Sequence, residues 1–117
     1  MENGELKIAA KNVGEFTVYV LSGELVVSTI LELKNLFLND LKYGRIYAAC
    51  DLKGVTFIDS AGVGLISNMN KKVNAEKGHF VLFNVPPPIK ESLDKTGLSE
   101  IISIVKNEKE FSDNFIL

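Results

Sequence analysis

Segments of strand character alternate along this chain with segments of helical periodicity, and that alternation limits the fold more than any other feature. Leu6, Ile8 and Ala10 alternate with Lys7 and Ala9, the period of a half-buried strand. Asn12-Val13-Gly14 signals a turn, and Phe16–Leu21 is rich in β-branched and aromatic residues, so the two segments predict a hairpin. Thr29 followed by Glu32 has the spacing of a capping box, and Ile30, Leu33, Phe37 and Leu41 then recur at helical intervals up to Gly44. Arg45–Leu52 reads as a mostly buried strand. A second helix is expected from Asp59-Ser60, with Val63, Ile66, Met69 and Val73 on one face and Gly78 as its stop. His79–Phe83 is a short apolar strand. Pro86-Pro87-Pro88 ends it and seeds a helix through Ile89 and Leu93, closed by a left-handed Gly97. Ile101–Val105 predicts one more strand. Asn107 and Glu110 repeat the capping spacing ahead of Phe111 and Phe115.

The order β-β-α-β-α-β-α-β-α requires right-handed crossovers between neighbouring parallel strands. The expected fold is α/β: a mixed, mostly parallel sheet of four to five strands, about four helices, and an antiparallel edge from the first hairpin. At 117 residues the chain has room for one domain, 1–117, and no internal repeat or linker divides it.

Charge and composition remove whole classes of function. Thirteen basic against fifteen acidic residues leave a net charge of −2, with no basic excess to track a phosphate backbone, so no direct nucleic-acid binding is expected. Cys50, the single cysteine, cannot form an internal disulfide, and its apolar strand suggests a small core residue. No Cys/His cluster offers a metal site, and one histidine, His79, leaves little for imidazole chemistry. The acidic start at Met1–Glu5 lacks the basic and apolar regions of a signal peptide, and no apolar run approaches the roughly 20 residues that span a bilayer. A cytoplasmic protein without membrane insertion is expected.

The segment Phe57-Ile58-Asp59-Ser60-Ala61-Gly62-Val63-Gly64 stands apart. Two apolar residues end a strand-like approach, and small or polar residues lead straight into a helix. Ser60 is thereby placed beside a helix N-terminus, where unpaired backbone N–H groups and the dipole favour negative charge. A phosphate there would add about −1.5 to −2 charge at pH 7 without melting the helix. Two readings stay open: Asp59 or Ser60 simply caps the helix, which spacing alone favours, or Ser60 accepts a phosphate. A nucleophilic Ser60 is disfavoured. No G-x-S-x-G elbow is present, since Ile58 stands two before Ser60, and no Walker pattern occurs. Nothing places His79, read as an edge-strand histidine, near Ser60 as a base. Lys71, Lys72 and Lys77 read as a solvated last helical turn. Val26-Val27, after Gly23-Glu24-Leu25, is either a contact surface or tucked under the sheet.

The stretch Phe57–Leu65 resembles the phosphorylation signature of bacterial anti-sigma-factor antagonists of the STAS domain family. Leu21-Ser22-Gly23-Glu24-Leu25, Pro87-Pro88-Ile89-Lys90, and Thr96-Gly97-Leu98 leading to Ile101-Ile102 resemble further family segments in the same order. The resemblance implies a partner-switching regulator of transcription and no enzyme. Its unphosphorylated form would bind an anti-sigma factor that is also a serine kinase; phosphorylation at Ser60 would release it, and a serine phosphatase would reset it. Ser60 is then the acceptor. Asp59, Ala61, Gly62 and Gly64, with Glu24, Val26, Val27 and Ser28, form the partner surface, the two glycines keeping the approach clear. No cofactor is implied, since ATP and magnesium belong to the kinase, and a monomer is expected. The chain departs from the family at Val26, where an aspartate is common. Alternatives within the fold are a module of a stressosome or of a lipid-transport assembly, or a small-molecule sensor.

Overall fold

A computed structural model describes residues 4–117; the acidic start at residues 1–3 lies outside them. Strands β1 (Leu6–Val13) and β2 (Phe16–Leu25) form the expected hairpin. Val13 pairs with Phe16 across the two-residue turn, and Gly14 takes φ +58° at its first position, the backbone a II′ turn demands. Helix α1 (Ile30–Lys42), strand β3 (Tyr47–Ile58), helix α2 (Ser60–Ala75), strand β4 (His79–Phe83), helix α3 (Pro87–Lys95), strand β5 (Ser103–Ile104) and helix α4 (Glu108–Phe115) follow. The five strands lie in chain order, β2 to β5 all parallel, so the predicted mixed sheet with an antiparallel edge is what forms.

Strand alternation divides the core between the two faces of this sheet. Leu33 and Phe37 of α1, Leu65, Ile66, Met69 and Val73 of α2, and Ile89 and Leu93 of α3 pack with Tyr19, Leu21, Ala48, Cys50, Leu52, Phe80 and Leu82 on one face. On the other, α4 alone contributes Phe111 against Phe16, Val18, Ala49, Val81 and Phe83. The Phe111 and Phe83 rings stack at 5.0 Å.

Several local expectations are corrected. β2 runs to Leu25 and β3 begins at Tyr47 and runs to Ile58, well past the predicted limits. Register shifts between Val20 and Ser22 and between Gly23 and Glu24 carry the pair past residues that break the strand pattern. Gly54 fits because its neighbours, Ser22 Cβ and the Leu21 carbonyl, stand about 3 Å from where a side chain would begin. β5 shrinks to two residues, since Leu98–Glu100 forms a 3-10 turn first. The capping box at Thr29 does not form: its hydroxyl donates to the Glu24 carbonyl at 2.6 Å instead. Lys77, not Gly78, takes the left-handed φ of +63° after α2. Gly78 is required by a different constraint, because a Cβ there would run into the Ile46 carbonyl. His79 opens an interior strand, β4, and is no edge residue.

Candidate functional site

The site is built where β2 and β3 end together. Leu25 pairs with Ile58, and the Asp59 N–H donates to the Leu25 carbonyl at 3.1 Å, so the last strand bond and the start of α2 share one residue. Asp59 is the N-cap, with extended backbone (φ −106°, ψ −175°). Its two carboxylate oxygens do separate work. Oδ1 accepts from the Gly62 N–H at 2.9 Å, closing the cap; Oδ2 accepts from the Val27 N–H at 3.0 Å, tying the β2–α1 loop to the same helix end.

With the cap made by Asp59, Ser60 is the first helical residue and its side chain is exposed. The Val63 N–H donates to the Asp59 carbonyl. Among the described residues the Ser60 and Ala61 N–H groups have no backbone partner, as the first turn of a helix leaves them. An anion carried on the Ser60 oxygen would meet the positive end of α2, an arrangement worth about 0.3–1 kcal/mol at an exposed site.

The neighbouring loop is knotted by Thr29. Its Oγ1 accepts from the Val26 N–H at 3.0 Å while donating to the Glu24 carbonyl, and the Val26 carbonyl accepts from the N–H groups of Thr29 and Ile30. This holds Val27 74% exposed with Ser28 also outward, while Val26 and Glu24 are half-buried. The two open readings of the valine pair thus divide between its members.

The glycines divide too. Gly62 is buried, and a Cβ there would run into the Leu25 carbonyl; its role is to seat α2 on the end of β2, and it offers no surface. Gly64 is exposed, and a Cβ there would meet no neighbouring element within 4 Å. Ala61 is half-buried. Phe57, 54% exposed, and Leu31, 63% exposed, add apolar surface near the two chain ends of the loop, and the sequence reading did not single them out. Alternation from core-facing Val55 puts Phe57 on the buried face; the register shift between Gly23 and Glu24, which skips Thr56, turns it outward, so its exposure is not legible in the sequence.

The single histidine stands far from Ser60. His79 pairs with Tyr47 at the far end of β3, eleven residues of strand from Ile58, roughly 35 Å at about 3.3 Å per residue. There its Nε2 lies 2.8 Å from Ser103 Oγ and its ring against Phe115. Asp51 is buried and accepts from the Asn84 side chain and the Lys53 N–H. Cys50 is fully buried in the core, and that burial pushes its thiol far above its ordinary value. Lys71 and Lys77 are exposed and Lys72 half-buried, as a solvated helix end requires. Among the described residues no group of three His, Cys, Asp or Glu side chains could hold a metal ion, and no helix is long and apolar enough to cross a membrane.

Comparison with known proteins bears on this arrangement. The profile of the STAS domain family matches residues 7–111. An anti-sigma F factor antagonist of Paenibacillus polymyxa is 39% identical over 57 residues, a match covering 49% of this chain and 49% of that protein. An anti-sigma-B factor antagonist of Listeria monocytogenes is 28% identical over 113 residues, 96% of this chain and 97% of the relative. Among solved structures, a candidate anti-sigma factor antagonist of Thermotoga maritima superposes with a TM-score of 0.84 at 23% identity over 91% of this chain and 92% of its own. The phosphorylated form of the Bacillus cell fate determinant SpoIIAA superposes with a TM-score of 0.76, also at 23% identity, over 92% of this chain and 97% of its own.

Proposed function

This chain belongs to the STAS domain family, and on that premise we propose that it is an anti-sigma-factor antagonist that changes partners through Ser60. The observation that carries the reading is the division of labour at the start of α2. Asp59 performs the capping, which leaves the adjacent hydroxyl exposed on a rigid helix end with no structural duty. A partner-switching acceptor needs that combination: access for a kinase, and freedom to change charge without cost to the fold. The names of the full-length and partial relatives supply the class of partner, an anti-sigma factor.

In the unphosphorylated state the partner surface carries no charge on Ser60 itself, and its fixed charges are the half-buried carboxylates of Asp59 and Glu24. It consists of Ala61 and Gly64 on α2 and of Val27 and Ser28 on the tethered loop, with half-buried Glu24 and Val26 at its margin. Phosphorylation by an anti-sigma factor with serine kinase activity places about −1.5 to −2 charge at its centre, and a docked partner would have to desolvate that charge or face it with its own acidic groups. Binding is lost while the helix end tolerates the anion. A serine phosphatase restores the unmodified surface. This chain provides the hydroxyl and the contact face, and the partner provides nucleotide and metal. The reading makes it a cytoplasmic regulator and not an enzyme.

Incubation with the cognate kinase and ATP should add one phosphate to the native chain and none to Ser60→Ala, as read by intact mass. Ser60→Glu should melt within a few degrees of the native protein, since a carboxylate near a helix N-terminus shifts stability by about 1 kcal/mol or less. Its affinity for the anti-sigma factor should nonetheless fall. Unchanged affinity in calorimetry would mean that the neighbourhood of Ser60 is a helix start and nothing more.

A further inference from the structure

The two edges of the sheet are unequal. β5 is two residues long, while β1 offers eight, with no proline or bulge in its pairing with β2. We propose that β1 pairs antiparallel with β1 of a second copy of this chain, about a two-fold axis at Ile8, to make one continuous sheet across a homodimer.

The hairpin determines which backbone groups are free. In an antiparallel pair, residues alternate between those whose N–H and C=O both face the partner strand and those whose groups both face away. The closing pair of the two-residue turn is Val13 with Phe16, and the Glu5 carbonyl accepts from the Glu24 N–H at 2.7 Å, so the odd-numbered residues of β1 are bonded to β2. Leu6, Ile8, Ala10 and Asn12 therefore point their N–H and C=O groups outward, the unpaired row that recruits another strand.

Charge selects the register. In a two-fold pairing, opposed residues share a sheet face and their numbers sum to a constant even value. Centring on Ala9 sets Lys7 opposite Lys11 twice, and centring on Lys7 sets that residue against itself; like charges opposed across strands are destabilising. Centring on Ala10 puts Ile8 opposite Asn12. Centring on Ile8 is different: Ile8 meets Ile8, Leu6 meets Ala10, Lys7 meets Ala9, and Glu5 meets Lys11 on both sides of the axis. That register also makes the Ile8 pair and both Leu6–Ala10 pairs hydrogen-bonded ones, as the outward groups require. Of these registers, only the one centred on Ile8 both avoids opposed lysines and pairs apolar with apolar and acid with base.

The apolar surface agrees. Leu6 and Ile8 are only half-buried, and a groove of about 690 Å³ runs between the start of β1 and the start of α1, lined by Leu6, Lys7, Thr29 and the 63% exposed Leu31. A second β1 brings its own Leu6 and Ile8 to the same sheet face. The two-fold axis points the two Ser60 ends in opposite directions, so each copy keeps its own partner surface. This replaces the expectation of a monomer, and it does not depend on the partner-switching reading.

Sedimentation of the native chain over a wide concentration range should show a monomer–dimer equilibrium. Ala10→Pro removes one outward N–H at an exposed position while sparing every bond to β2, and should leave a monomer with native circular dichroism. Lys11→Glu and Glu5→Lys should each weaken the dimer by about tenfold through opposed like charges, and the double variant Glu5→Lys/Lys11→Glu should restore it. A native chain that stays monomeric throughout would overturn the proposal. So would an Ala10→Pro variant that folds and still dimerises, or a double swap that fails to recover what the single changes lose.

Discussion

Replacing Asp59 tests whether one carboxylate holds both the helix end and the loop. In Asp59→Ala, three contributions are lost. The N-cap bond to the Gly62 N–H is worth about 1 kcal/mol. The negative charge at the positive end of α2 adds about 0.5 kcal/mol. The bond to the Val27 N–H adds only about 0.5 kcal/mol, because Val27 is exposed and water can take the carboxylate's place. Together they amount to about 2 kcal/mol. With an unfolding entropy of about 2.1 cal/mol/K per residue over 117 residues, Tm should fall by about 8 °C. Asp59→Asn keeps one acceptor oxygen, so it should retain the cap and lose the charge and the second bond, costing about 1 kcal/mol and about 4 °C. Urea unfolding supplies the free energies, and amide exchange at Val27, faster in both variants, reports the freed loop. An alanine variant within about 0.5 kcal/mol of the native chain, or an asparagine variant as damaged as the alanine one, would refute the two-oxygen account.

Other consequences can be checked separately. Gly62→Ala should destabilise by about 1–3 kcal/mol, since its Cβ meets the Leu25 carbonyl, whereas Gly64→Ala, with open space around it, should stabilise by about 0.5–1 kcal/mol; thermal melts compare them directly. Val27→Asp should weaken anti-sigma-factor binding more than Val26→Asp, because the exposed side chain is Val27's; titration at low and high salt should show a larger and nearly salt-independent loss at Val27 if its contact is apolar. Alkaline pH should destabilise the fold. Burial holds the Cys50 thiol and the Tyr19 hydroxyl, the latter also bound to Asp40, well above their unfolded values. The unfolded chain therefore loses these protons first, and stability falls as pH rises above about 9, by up to about 1.4 kcal/mol per pH unit for each group that has titrated. Stability that stays flat from pH 8 to 11 would contradict this, and thiol labelling below pH 9 should track unfolding.

Much of the fold was legible in one dimension because it rests on local periodicity. The hairpin turn at Gly14, the helical spacing of Leu33 and Phe37, the proline start of α3, the left-handed Gly97 and the Asn107 cap each act within a few residues, and each is found where the spacing put it. So was the position of Ser60, since a strand end followed by Asp-Ser and small residues leaves few places for a helix to begin.

Tertiary structure decided whatever depended on a distant partner. Strand pairing alone extended β2 and β3 through Gly23 and Gly54, because register shifts absorb residues that look like breaks. The Glu24 carbonyl drew the Thr29 hydroxyl away from its capping box. The close approach of β2 to α2 turned Gly62 from a surface residue into a buried contact, and the Ile46 carbonyl made Gly78 a packing glycine. Asp59 is the sharpest case. Its cap to Gly62 is a local matter that the sequence settles, but its hold on Val27, thirty-two residues away, exists only because the parallel pairing of β2 with β3 brings Leu25 beside Ile58 and sets both following loops at one edge of the sheet.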